Sequence, residues 1–259
     1  MWLLLFGLAN LILFIFAIFF LLDKKQIKKI KFTPEFFIRK IFENIKPLLI
    51  IIIIVIFHLI EVKIIDAYVT NWVSYDYANI IKNLENGFVY SLTKYWVPGI
   101  LHFFVIIYIV VYTFTLWFAP LYFIIADKKH SLKTLAYGLL IVYLVALPFY
   151  LFIPVSNVYT YYSSPSALET VIPSIENFFY VTTTTNNCFP SLHTSMTILV
   201  AYCFSLTGNK KLKYFGIFVA ITVIISVLYL SIHWFIDVFV GIIISLGAIF
   251  LLKRYIKDK

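Results

Sequence analysis

Two of the five histidines have neighbours that could do chemistry with an anion. The first, His193, ends the segment C-F-P-S-L-H, residues 188–193. Pro190 is placed to begin a helix, and Ser191 would lie in its first turn. The unpaired N–H groups of a helix start, together with the helix dipole, favour an anion. The pattern therefore predicts an anion site beside His193, with Ser191 as a substrate-binding residue.

The second, His233, belongs to the segment S-I-H-W-F-I-D, residues 231–237. A spacing of four would put His233 and Asp237 on one face of a helix. The carboxylate can hold one ring nitrogen protonated and leave the other free to attack or to accept a proton. We therefore predict that His193, His233 and Asp237 are catalytic, the alternative being hydrogen-bonded helix-end residues in a polar rim.

The elements that must position these residues are membrane helices. The chain of 259 residues is 63% hydrophobic and only 13% charged, and apolar runs of about 20 residues, enough to cross a bilayer as helix, recur throughout. They cover residues 2–22, 47–65, 98–126, 134–153, 190–207, 212–230 and 232–252. We predict an all-α polytopic membrane helix bundle of about seven transmembrane helices. Asp237 is the only carboxylate in the last three runs, and ionisable residues inside a membrane mark function.

The charges predict the topology. Eighteen of the 21 lysines and arginines lie on alternate loops, and only Lys63, Lys82 and Lys94 lie on the opposite ones. The positive-inside rule puts the basic loops and the C-terminus in the cytoplasm and the N-terminus outside. Two crossings then separate His193 from His233, so both lie at the outer face of the cell membrane. Anionic inner-leaflet lipids explain the net charge of +9 without a nucleic-acid partner.

The chain divides into two predicted regions. Residues 1–97 form N-terminal anchor helices, with a basic cytoplasmic segment that either lies on the inner leaflet or is solvated, and an outer segment with a short interfacial helix between Ser74 and Gly87. Residues 98–259 form the catalytic bundle. Their long outer loop, residues 154–189, would build a headgroup pocket or serve as a plain connector; Tyr159 and Asn187 are its candidate substrate-binding residues.

Other chemistries leave no trace in the sequence. G-x-S-x-G, H-E-x-x-H and Cys/His metal spacings do not occur, so we expect neither a metal nor a cofactor. A haem carrier would place His58 and His102 on facing helices and leave both histidine motifs unused. His58 and His102 each either line the substrate site or pack between helices. Cys188 and Cys203 would be roughly 22 Å apart on one helix, too far for a disulfide.

The two histidine segments resemble the second and third motifs of the type 2 phosphatidic acid phosphatase superfamily, P-S-x-H and S-R followed by H-x-x-x-D. They are most similar to the branch containing inositol phosphorylceramide synthase, the aureobasidin-resistance protein, which carries P-S-L-H and H-Y-x-x-D-V-x-x-G. The second of these reads H-W-F-I-D-V-F-V-G at residues 233–241 here. F-I-P-V, residues 152–155, resembles that branch's F-P-V-A-P-P more loosely, and the resemblance covers roughly residues 98–252.

The resemblance implies that His233 is a nucleophile forming a phosphohistidine, Asp237 its orienting partner, and His193 the acid that protonates the leaving alcohol. The substrate would be a phospholipid or lipid phosphate, and the acceptor an alcohol or water. The family's arginine before the nucleophile falls at Val227, and its first-motif Lys and Arg-Pro are not recognisable. Lys94, just before the third run, is a candidate for the missing cation.

Two classes of function follow from these observations. An enzyme, either a lipid phosphotransferase or a lipid phosphatase, is favoured by the intact His, His and Asp. The few outer cations fit a singly charged diester better than a phosphomonoester, which carries about two charges, so diester transfer without a metal is preferred. A lipid-binding or lipid-transport protein on the same fold is favoured by the missing arginine.

Overall fold

The computed structural model describes residues 2–22, 33–181 and 183–256, and helices make up nearly all of its regular structure. The helices are α1 Trp2–Leu21, α2 Pro34–Glu43, α3 Ile45–Val73, α4 Ala78–Glu85, α5 Phe88–Ser91, α6 Pro98–Ile125, α7 Lys129–Phe152, α8 Val158–Tyr161, α9 Ala167–Val171, α10 Ile175–Phe179, α11 Leu192–Ser205, α12 Lys210–Tyr229 and α13 Phe235–Tyr255. Two of them contain a π-helical turn, Glu61–Ile65 in α3 and Ile107–Val111 in α6. In the described ranges the only β pairing is an isolated parallel bridge between Val155 and Asn187.

Six of the described helices are long and apolar enough to cross a membrane: α1, α3, α6, α7, α12 and α13. In α1 and α3 only 17% of the span is buried within the protein, against 39% in the other four. Most apolar side chains of α1 and α3 therefore face outward, as expected where lipid tails cover them. The predicted all-α, multi-pass membrane bundle is confirmed, with the run at 190–207 forming the shorter apolar helix α11.

Helix α11 is the centre of the bundle, packed against α7, α12 and α13. Glycines allow the close approach, and Gly138 and Gly241 are two of them. A Cβ at Gly138 of α7 would lie 2.6 Å from Leu199, and one at Gly241 of α13 would lie 2.7 Å from the carbonyl oxygen of Ser191. Because no side chain fits at Gly241, the start of α13 can lie directly beside the start of α11. That contact brings the two histidine segments together.

The segments outside the long helices are more structured than the sequence predicts. The loop at 154–189, predicted to lie outside, folds into α8, α9 and α10 rather than a plain connector. The predicted short outer helix exists as α4, beginning four residues after Ser74, and left-handed Asn86 and Gly87 end it. On the basic side Thr33 caps α2, while residues 23–32 of the predicted basic segment lie outside the described residues.

Candidate active site

The start of α11 positions His193. Ser191 is the N-cap, accepting a hydrogen bond from the Thr194 N–H at 3.3 Å, so it precedes the helix and the prediction that it lies in the first turn is wrong. Its own N–H donates to the backbone carbonyl of Asp237 at 3.1 Å. Ser191 is fully buried, and this hydrogen bond ties the start of α11 to α13.

His233 lies before α13, in the turn that follows α12, so the prediction that one helix face carries both His233 and Asp237 is wrong. Backbone geometry pairs them instead. The Val227 carbonyl accepts hydrogen bonds from the N–H groups of Ile232 and His233, each at 3.0 Å. Asp237 Oδ2 accepts from the Trp234 N–H at 2.8 Å and lies 3.3 Å from His233 Nδ1. The carboxylate thus caps α13 and orients the histidine at the same time.

The two histidines are in direct contact, with His193 Nδ1 3.0 Å from His233 Nε2. On the far side of the His193 ring, Nε2 lies 3.0 Å from the Tyr108 hydroxyl. An ionised Asp237 can only accept, so the proton shared with it belongs to His233 Nδ1. His233 Nε2 then carries a lone pair, His193 Nδ1 donates to it, and His193 Nε2 accepts from Tyr108; these tautomers are assigned from the hydrogen-bond network. One continuous hydrogen-bond chain thus joins Tyr108, His193, His233 and Asp237.

Tyr108 is the member of this chain that the sequence does not reveal. It lies in the π-helical turn of α6 and is 1% exposed. A π turn shifts the register of the side chains that follow it, and such turns often occur at functional sites. The sequence holds 19 tyrosines, and Tyr108 sits in an unbroken apolar run, so no local signal distinguishes it.

A cavity of about 30 Å³, room for about two water molecules, opens beside the histidines. It is lined by Tyr108, Asn157, Tyr159, Leu168, Tyr180, Thr183, Thr184, Asn187, Cys188, His193, Ile232 and His233. Two predicted substrate-binding residues, Tyr159 and Asn187, are in this lining, whereas Ser191 and Lys94 are not. Lys94 is exposed on the 3₁₀ turn Leu92–Tyr95.

The lining is polar without being cationic, since none of its described residues is a lysine or arginine. The hydroxyls of Tyr159 and Tyr180 contact each other. Burial raises the pKa of Tyr180 to about 12 and also raises the pKa of Tyr159, so both stay protonated near pH 7. Val227, where the resemblance would place an arginine, is buried in the core. The cavity therefore meets an anion with neutral hydrogen-bond donors and the two imidazoles.

A group of possible metal ligands occurs at the same place. Donor atoms of Cys188, His233 and Asp237 lie within 4.8 Å of one another and all three residues are buried. Spacing in the sequence does not indicate this group, because 45 positions separate the cysteine from the histidine. Burial raises the pKa of the Cys188 thiol, and its Sγ donates to the Ile232 carbonyl at 3.2 Å. A protonated thiol is a poor metal ligand and a poor nucleophile.

The segment between α3 and α6, predicted to lie outside, also reaches the site. Glu85, at the end of α4, accepts a hydrogen bond from the Ile236 N–H at 2.7 Å, next to Asp237 at the positive end of the α13 dipole. Burial raises the pKa of Glu85, while its bonds to backbone N–H groups oppose that shift. Of the two weaker histidines, His58 contacts Glu61, and exposed His102 contacts the Pro98 carbonyl one turn away.

The fold and the site together define a multi-pass α-helical membrane protein with a His–His–Asp chain at one end of its bundle. Residues 164–259 match the family model described as the PAP2 superfamily, and this match supports the type 2 phosphatidic acid phosphatase superfamily. It spans both histidine segments and does not extend to α3, α4 or α6. Neither the curated proteins nor the solved structures contain a match to the chain. The match fits a membrane lipid phosphatase or phosphotransferase.

Proposed function

We propose that the protein transfers a substituted phosphoryl group from a phospholipid diester to an alcohol acceptor, through a phosphohistidine on His233. The observation that carries the proposal is the contact of His193 Nδ1 with His233 Nε2 at 3.0 Å. It puts an acid–base group within reach of anything bonded to the nucleophilic nitrogen. The branch that includes inositol phosphorylceramide synthase catalyses this type of transfer, and the H-W-F-I-D-V-F-V-G segment at 233–241 supports placing the chain there.

In the first half of the reaction, the lone pair of His233 Nε2 attacks phosphorus and the bond from phosphorus to the leaving alcohol breaks. An anionic substrate favours the doubly protonated His193 ring, whose Nδ1 gives its proton to the leaving oxygen. Asp237 stays ionised and balances the positive charge of the phosphorylated imidazole. Because phosphorus must bond where His193 Nδ1 now lies, the two rings part when substrate enters.

In the second half, the acceptor hydroxyl gives its proton to His193 Nδ1 and its oxygen attacks phosphorus as the P–N bond breaks. His233 returns to its starting state. The Tyr108 hydroxyl can both donate and accept, so it pairs with His193 Nε2 whether or not that nitrogen carries a proton. All the groups used here are side chains of this chain, so we propose that turnover needs no metal.

The preference for a diester follows from the charge of the site. One well-placed donor at a developing charge is worth roughly 2.7 to 4 kcal/mol, and the described cavity lining offers no lysine or arginine for a second negative charge. One cation close to the lining is Lys63, whose Nζ lies 3.4 Å from the Tyr180 carbonyl; Lys94 remains a proposed substrate-binding residue. We place this chemistry in the region 98–259, at the outer face, with the N-terminus outside and the C-terminus in the cytoplasm.

Matched lipids test the proposal. The purified protein in chelator is incubated with phosphatidic acid and with a phospholipid diester of the same acyl chains, plus an alcohol acceptor. We expect diester conversion and slow release of phosphate from the monoester. Rapid monoester hydrolysis with no diester conversion contradicts the diester preference, and turnover that requires added zinc assigns a metal to Cys188, His233 and Asp237.

The second function, a lipid-binding or lipid-transport protein that lacks the chemistry, is favoured by the buried Val227 at the arginine position. Acid quenching after mixing with a radiolabelled donor separates the two. A trapped label that is lost in His233→Ala supports the enzyme, whereas lipid binding without any trapped label or turnover supports the carrier.

A further inference from the structure

A second polar cluster lies on α3, beside the cavity. Glu61 begins the π-helical turn of α3 and is fully buried, after the long apolar stretch that runs from Leu48 to Phe57. Its Oε2 lies 3.2 Å from His58 Nδ1, and its Oε1 accepts from Asn187 Nδ2 at 2.9 Å. A buried carboxylate is costly unless it is paired and hydrogen-bonded. The mechanism above makes no use of this carboxylate.

The effect of Glu61 on Asn187 reaches the cavity. An ionised carboxylate only accepts, so the amide nitrogen of Asn187 must face Glu61 and its carbonyl oxygen must face away. Within the described residues, Asn187 Oδ1 is buried and has no hydrogen-bond partner; the same holds for Thr184 Oγ1. Both residues line the cavity with His193 and His233. By holding the Asn187 amide, Glu61 fixes its oxygen as an acceptor for whatever enters the cavity, and the Thr184 hydroxyl is a second polar group there.

We infer that Asn187 and Thr184 form a subsite for a second hydroxyl group of the acceptor, and that Glu61 positions the Asn187 amide. The inference rests on the proposed function. The reacting hydroxyl must give its proton to His193 Nδ1, so the hydroxyl that donates to Asn187 Oδ1 has to be another one. The acceptor class is thus a neutral alcohol with at least two hydroxyl groups, and a simple monohydric alcohol leaves the buried oxygens unpaired.

Partition of the phosphohistidine between two acceptors tests the subsite. The full-length protein in lipid nanodiscs is given p-nitrophenyl phosphorylcholine, a chromogenic diester, with equal concentrations of glycerol and 1-propanol, and both transfer products are quantified by mass spectrometry. Because one intermediate feeds both products, their ratio is independent of the rate of its formation. We expect wild type to favour glycerol about tenfold, the value of one well-made hydrogen bond in a buried site.

Two variants separate the subsite from general damage. The Gln side chain in Glu61→Gln can donate to the Asn187 oxygen and so allows the Asn187 amide to flip. The preference for glycerol over 1-propanol should then be lost. Asp66→Asn is the matched control, a second buried carboxylate of α3 whose hydrogen bonds go to Thr70 and to the Asn186 side chain, whereas Glu61 bonds Asn187; it should keep the preference. Thermal unfolding of each variant checks folding, and Thr184→Val is used in place of Glu61→Gln should the latter unfold.

Equal glycerol and propanol transfer by wild type, or an unchanged preference in Glu61→Gln and Thr184→Val, overturns the subsite while leaving the phosphotransferase proposal intact. Release of p-nitrophenol by wild type keeps the proposed function. If no diester of any kind turns over, the proposed function fails first and the subsite falls with it.

Discussion

Replacing Tyr108 by phenylalanine isolates the residue that the sequence does not indicate. The change removes only the hydroxyl that lies 3.0 Å from His193 Nε2 and keeps the ring in a fully buried place. A buried nitrogen left without a partner costs about 1–3 kcal/mol. Because His193 itself is partly exposed, water replaces part of that bond, and the lower range of about 1–2 kcal/mol applies. Turnover should therefore fall about 5- to 30-fold.

The assay is single-turnover formation and decay of the labelled His233 intermediate. Both steps should slow in Tyr108→Phe, because His193 is the acid of the first step and the base of the second. Tyr112→Phe is the matched control: its ring also packs near His193, with centroids 5.0 Å apart, but its hydroxyl points to Met196 Sδ at 3.9 Å. Wild-type rates in Tyr108→Phe, or equal losses in both variants, refute the assigned hydrogen-bond chain.

Three further predictions concern the catalytic set, its support and the topology. His193→Ala, His233→Ala and Asp237→Asn should each abolish or strongly reduce turnover, and only His233→Ala should prevent covalent labelling; full activity in any variant removes that residue from the mechanism. Glu85→Gln weakens the hydrogen bond to the Ile236 N–H at the start of α13, so the free energy of unfolding should fall by about 1 kcal/mol, and an unchanged free energy of unfolding contradicts this. A cysteine at exposed Ser174 should be labelled from outside and one at exposed Lys210 from inside; labelling from one side contradicts a shared outer face for both histidines.

The main features of the fold could be predicted because they depend on local composition. Apolar runs of about 20 residues predict spanning helices, and six of the described helices have that length and hydropathy. The helix starts are less predictable, since hydropathy does not mark a cap. Trp234 and His233 are apolar or neutral and extend the last run, yet the Asp237 carboxylate closes on the Trp234 N–H and makes Trp234 the N-cap of α13.

The catalytic candidates could be chosen from the sequence because their segments carry polar side chains where apolar ones are expected. Glu61 carries the same signal, as an acidic residue in an apolar run, and this could have marked it as functional. Tyr108 and Glu85 carry none: one is a tyrosine among many, and the other belongs to a short helix that looks like ordinary surface. Their roles depend on contacts across 85 and 151 positions of the chain.

The sequence by itself determined that this chain crosses a membrane several times and holds two histidines and one aspartate able to do acid–base and nucleophilic chemistry. Only the tertiary structure decided that His193 touches His233, that Tyr108 completes their hydrogen-bond chain and that Glu61 orients Asn187. The physical reason is the distance along the chain over which each kind of interaction acts. Hydropathy and motif spacing act over one or two helical turns, whereas the site depends on Gly241 bringing α13 against α11 and on a π turn aiming Tyr108 at His193.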